Sequence, residues 1–119
     1  PERAVLRERR STNTGENIAF ALADLESRGV VPRSILAVAW PLVARRIGAT
    51  AARQRPDLRV ATVPAVARDT RWPPTEAAVA AALGEWDRLE RYVDEGHVVA
   101  QAASPAVRRA VPVLRQVCR

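Results

Sequence analysis

The sequence predicts an α/β domain, and three observations carry that prediction. A continuous apolar run, Ile35-Leu36-Ala37-Val38-Ala39-Trp40, and a second strand-like run, Leu58 to Val63, are each followed by a proline. Residues with helical spacing lie before the first run and between the two. The composition is 48% hydrophobic but only 4% aromatic, and small aliphatic side chains suit helices packed on a buried sheet. A chain of 119 residues has room for one domain and one core.

Ala4-Val5-Leu6 is a short apolar segment bracketed by charges and gives a first, weakly marked strand over residues 4–8. Glu16 to Arg28 reads as a helix, because Ile18, Ala21, Leu22 and Leu25 recur on one face, and Gly29 stops it. The run 35–40 reads as a strand covered on both faces. Pro41 then opens a helix at a position where its missing N–H costs nothing, and that helix ends near Gln54, before Pro56. Residues 58–63 form the third strand candidate, closed by Pro64. Strand, helix, strand, helix, strand is the pattern of parallel right-handed crossovers.

Arg68 to Pro74 is a loop with a Trp-Pro-Pro stop. Thr75 caps a long helix to about Val93, ended by Gly96. Ser104 and Pro105 start a last helix that Pro112 should kink or shorten. Residues 75–119 are thus a helical C-terminal part of the single domain.

Charge and rare residues exclude several functions. The net charge is +6 and all 19 basic residues are arginine. Acids are interspersed with them, and the five aromatics (Phe20, Trp40, Trp72, Trp86, Tyr92) are too scattered for a base-stacking platform. No nucleic-acid partner is expected; the charge favours anionic small molecules or surfaces. Cys118 is the only cysteine and His97 the only histidine, so neither a disulfide framework nor a metal site is expected. With no long apolar run and no signal peptide in this chain, it reads as cytoplasmic.

The densest chemistry lies in Glu8-Arg9-Arg10-Ser11-Thr12-Asn13-Thr14-Gly15-Glu16-Asn17. A helix start needs one capping side chain. This segment supplies five hydroxyl or amide side chains framed by carboxylates, leaving groups over for a ligand, although the same residues would also serve as a plain capping loop. In an open parallel sheet, ligands bind beyond the carboxyl ends of the strands. That edge collects residues 8–17, residues 40–46 and the loop 64–71. On the helix after Pro41, Arg45, Arg46 and Arg53 fall on one side, opposite Val43, Ile47 and Thr50; they make either an anion site or a solvated arginine face.

Glu8-x-x-Ser11-Thr12-Asn13-Thr14-Gly15-Glu16-Asn17, followed by Ala19-Phe20, resembles the signature loop of the YdcF-like bacterial family, which includes the SanA and ElyC groups. A second block, Trp40-Pro41-x-x-x-Arg45-Arg46-x-x-Ala49-Thr50, is similar to the same family, and Leu89-Glu90-Arg91-Tyr92 with Gly96 is a weaker third. The resemblance covers roughly residues 2 to 97 and corresponds to the C-terminal part of the family domain. The family's Gly-rich first strand–turn and its Ser-Gly-Gly-like turn have no counterpart in this sequence, which therefore reads as N-terminally truncated.

The resemblance implies a Rossmann-like three-layer domain. It also implies a pocket lined by Glu8, Thr12, Asn13, Thr14, Glu16, Asn17, Arg45 and Arg46. S-adenosylmethionine is the cofactor it suggests, from one branch of the family, and cell-envelope maintenance is a role suggested by others. Trp40 stands where many relatives carry a polar residue and would either stack on a ligand base or cover the sheet edge.

In such a pocket Glu8 and Glu16 would accept hydroxyl or amino protons, Asn13 and Asn17 would orient the ligand, and the arginines would hold a carboxylate or phosphate. Salt bridges from Arg46 to Glu8 or Glu16 are expected without ligand. No activated nucleophile is legible, so no catalytic residue is assigned and the sequence leaves enzymatic activity open. The competing expectation is a non-catalytic interaction module that dimerises through its open sheet edge.

Overall fold

A computed structural model describes residues 4–65 and 75–118. The chain order is α1 (Thr14–Glu26), β1 (Ser34–Ala39), α2 (Pro41–Gln54), β2 (Arg59–Pro64), α3 (Glu76–Asp94) and α4 (Pro105–Val117). The class is α/β with a short parallel sheet, as the two strand-like runs predict. β1 and β2 pair in parallel, with Ser34 opposite Arg59 and Ala39 opposite Pro64. α2 is the crossover between them and packs on both. The loop expected over Arg68–Pro74 lies outside the described residues.

α1 begins at its Asn13 N-cap and ends before Gly29, whose φ of +76° is a conformation that glycine adopts without cost. Its Ile18 and Leu22 meet Ala51 of α2 and Leu58 in a small core, flanked by Ile35, Ile47 and Val60. Alanines on α2 bring the helices close: Ala44, Ala49 and Ala51 are buried. α3 then packs on α2, and α4 on α3; neither reaches the sheet. Neither α3 nor α4 buries a residue completely.

Three expectations are corrected. Residues 5–12 form no strand; Val5 and Leu6 are exposed, and among the described residues the sheet has two strands, not three. An apolar triplet makes a strand only where a neighbouring edge pairs with it, and its charged flanks keep this one in water. The run 35–40 is not covered on both faces. Ile35, Ala37 and Ala39 turn towards α2, but Leu36 and Val38 are 63% and 64% exposed. The helices described here therefore lie on one side of the sheet. Finally, of the kink or shortening expected at Pro112, the shortening does not occur: α4 continues to Val117. The helix is exposed, so water can satisfy the Arg108 carbonyl that the proline leaves without a donor.

Candidate functional site

The segment before α1 folds because its side chains replace the backbone partners that a helix start lacks. Asn13 Oδ1 accepts the Glu16 N–H at 2.9 Å, and the Asn13 carbonyl accepts Asn17 Nδ2 at 3.1 Å. Glu16 reaches back to the Thr12 N–H at 2.7 Å and to the Thr12 hydroxyl at 2.8 Å, a reciprocal capping arrangement. Glu8 closes the other side by accepting from the N–H groups of Arg10 and Ser11 and from the Ser11 hydroxyl. Ser11 Oγ also lies 2.8 Å from Asn17 Oδ1, a second acceptor for the same hydroxyl proton.

These bonds favour the ionised carboxylates. The Ser11 hydroxyl, above all, holds Glu8 below its usual range, and the Thr12 N–H and hydroxyl do the same for Glu16. Glu8, Thr12 and Asn17 are thereby spent on the loop itself.

Gly15 marks where this loop meets α2. Gln54 Nε2 donates to the Gly15 carbonyl at 3.2 Å, and a Cβ on Gly15 would lie only 2.9 Å from that nitrogen. Nearer the other end of α2, Arg46 spans two elements. Its Nη1 donates to Thr14 Oγ1, its Nε to Glu85 Oε2 at 2.8 Å, and its Nη2 to Glu85 Oε1 at 3.4 Å. Arg46 thus reaches the loop as expected, but its ionic partner is Glu85 of α3, not Glu8 or Glu16.

Arg45 does not join it. It points to the α3–α4 connection and donates to the Ala102 carbonyl. At 100° per residue Arg46, Thr50 and Arg53 make one stripe, and Arg45 lies a quarter-turn away. Thr50, expected on the opposite face, belongs to the Arg46 stripe and donates to the Arg46 carbonyl at 2.8 Å.

The stripe forms the floor of a cleft of about 820 Å³. One wall is the start of α1, with Asn13, Thr14, Gly15 and Glu16. The other is the end of α3, with Arg91, Tyr92, Glu95, Gly96 and His97. Arg53 Nε donates to the Gly96 carbonyl at 3.0 Å, tying floor to wall. Arg91 lies over the Tyr92 ring, and Glu95 sits between Arg91, at 3.7 Å, and His97, at 3.5 Å.

No strand residue lines the cleft, so it runs between helices and not across the strand ends. Of the eight pocket residues expected from the sequence, it gathers Asn13, Thr14, Glu16 and Arg46; Glu8, Thr12, Asn17 and Arg45 are not among its lining residues. Trp40 is 64% exposed and also lies outside it.

The residues that the sequence did not mark include Gln54, Glu95 and His97 in the cleft and Glu85 beside Arg46, together with the placing of Arg53 and Arg91 in this cleft. Arg91-Tyr92 and Gly96 were signalled by the weaker third block. Glu85 carried no signal beyond its i,i+3 relation to Arg88, with which it also pairs. Among the described residues no three His, Cys, Asp or Glu side chains converge as a metal site. Nor is any described helix long and apolar enough to cross a membrane.

No family model matches the chain, and no solved structure matches it significantly. It is similar to an uncharacterized protein of Streptomyces coelicolor, with 45% identity over 58 residues. That match takes in 49% of this chain and 26% of the relative, so the chain spans about a quarter of that protein's length.

Proposed function

We propose that this chain is part of a YdcF-like domain that binds an anionic or nucleotide-like small molecule in the cleft along α2. The supporting observation is that the fold brings Arg46 to Thr14 of the signature loop and adds Arg53 and Arg91 around the same space. Guanidinium groups from two elements, beside a helix start, favour a carboxylate or phosphate. The Glu16 and Glu95 carboxylates in the same cleft favour a ligand that also carries hydroxyl or amino donors. A nucleotide combines these features, as does S-adenosylmethionine, the cofactor that the resemblance suggests. On this reading the protein works in the cytoplasm, with a role in cell-envelope maintenance.

The test is a thermal-shift panel of nucleotides and S-adenosylmethionine, since a ligand that binds only the native state raises its melting temperature. A concentration-dependent rise that Arg46→Ala removes supports the reading. No rise with any member of the panel refutes it.

A second reading, an interaction module, is favoured by the sheet's bare face. Leu36, Val38 and Val63 are all exposed there, on two strands whose outer edges pair with no other strand among the described residues. Open edges and bare apolar faces are the usual routes to strand pairing between chains. Light scattering after size exclusion separates the two readings, because the module reading requires an assembly that Leu36→Glu dissolves.

A further inference from the structure

Arg46 is not open to a ligand in the arrangement described. Its Nε and Nη2 face Glu85 at 2.8 and 3.4 Å, so a carboxylate of the protein already occupies the guanidinium edge suited to an incoming carboxylate or phosphate. The pair is well shielded, with side chains 14% and 13% exposed. Glu85 has a second cation in Arg88, one helical turn on. The helix that delivers Glu85 is loosely held: α3 packs on α2 and α4 and contains no fully buried residue in 19 positions.

We propose that Glu85 is an internal stand-in for the ligand's anion, a latch that closes α3 onto Arg46 until a ligand displaces it. The proposal rests on the reading that Arg46 binds an anion. A ligand that reaches the Nε–Nη2 edge expels the Glu85 carboxylate, which keeps Arg88 as its partner and moves with α3. Thr14 stays on Nη1, so Arg46 remains aimed at the signature loop. The latch lowers the apparent affinity by the fraction of molecules in which it is open. Removing the charge of Glu85 without changing its size should therefore tighten binding. The resting contact also keeps a shielded arginine paired when no ligand is present.

The experiment uses the full chain, with inorganic phosphate, adenosine monophosphate and S-adenosylmethionine as separate probes in calorimetric titrations. Hydrogen exchange over residues 76–94 gives a second readout. Glu85→Gln should bind the effective probe about tenfold more tightly than wild type. Glu85→Asp, which keeps the charge on a shorter arm, should fall between the two and serves if the glutamine variant does not fold. Ligand should speed exchange in α3 of the wild type, and Arg46→Ala should abolish binding in either background.

Equal affinity in wild type and the Glu85 variants, or slower exchange in α3 on binding, overturns the latch. Arg46-dependent binding by wild type would then leave the proposed function standing. If no probe binds wild type or either Glu85 variant, both proposals fall.

Discussion

Leu22→Ala should remove a large share of this protein's stability, because Leu22 is one of the few large side chains that its core buries. Leu22 is 5% exposed and belongs to a core cluster of four buried residues, of which only Ile18, Leu22 and Leu58 carry large side chains. Truncation of a buried leucine to alanine typically costs about 2–5 kcal/mol, the upper values arising where a sealed cavity remains. Here the site is not sealed. Leu22 also borders a shallow groove with Ala19, Ala23, Glu26, Gln54 and Arg55, so the vacated volume opens to water and the cavity contribution shrinks.

The expected loss is therefore about 2–3 kcal/mol, mostly the lost transfer of the side chain out of water. With a total stability of about 6 kcal/mol at the low end for a chain of this length, this is a large fraction. Urea denaturation followed by circular dichroism at 222 nm measures it, with the transition midpoint falling and its slope unchanged. A loss below about 1 kcal/mol would refute the assignment of the core to the α1–α2–Leu58 contact.

Asn13→Ala should lower stability by about 1 kcal/mol, seen as a melting temperature reduced by a few degrees, because the Glu16 N–H loses its acceptor. Acid should destabilise the fold through the same loop. Glu8 and Glu16 titrate below the ordinary glutamate value of 4.5 in the folded state, held down by Ser11 and Thr12, so their contribution is full above that value and is lost as pH falls through their folded values. Melting temperatures recorded from pH 7 to pH 3 should drop below about pH 4.5, and Glu8→Gln with Glu16→Gln should flatten that drop. Leu36→Glu should leave unfolding within about 0.5 kcal/mol of wild type, since the side chain is 63% exposed; a larger loss would show that this face is covered.

Much of the fold was legible because its signals were local. Pro41 and the apolar run before it located β1 and α2, and Thr75, Ser104 and Gly96 fixed helix ends through capping chemistry that needs no tertiary information. The bonding of Asn13, Glu16 and Asn17 within the capping loop is local in the same way, whereas Thr14 bonds to Arg46, 32 residues away.

What failed depended on neighbours. Ala4-Val5-Leu6 has the composition of a strand, but no paired edge makes it one. The apolar run 35–40 indicated burial on both faces, although its second face has no described partner. In the candidate site, Arg45 and Arg46 were equivalent in sequence and are separated by about 100° of helix rotation, which sends one to Ala102 and the other to Thr14. Glu85 lies 39 residues from Arg46 in the chain, and nothing local announces a partner at that distance.

Anion binding in the cleft along α2 is the property on which the proposed function rests. Titrating isotope-labelled protein with adenosine monophosphate and following backbone amide resonances tests it most directly. The account predicts saturable shifts concentrated at Thr14, Gly15, Thr50, Arg53 and residues 91–97, with little change at Leu36 or Val63. Shifts confined to the bare sheet face, or none at millimolar ligand, would contradict it.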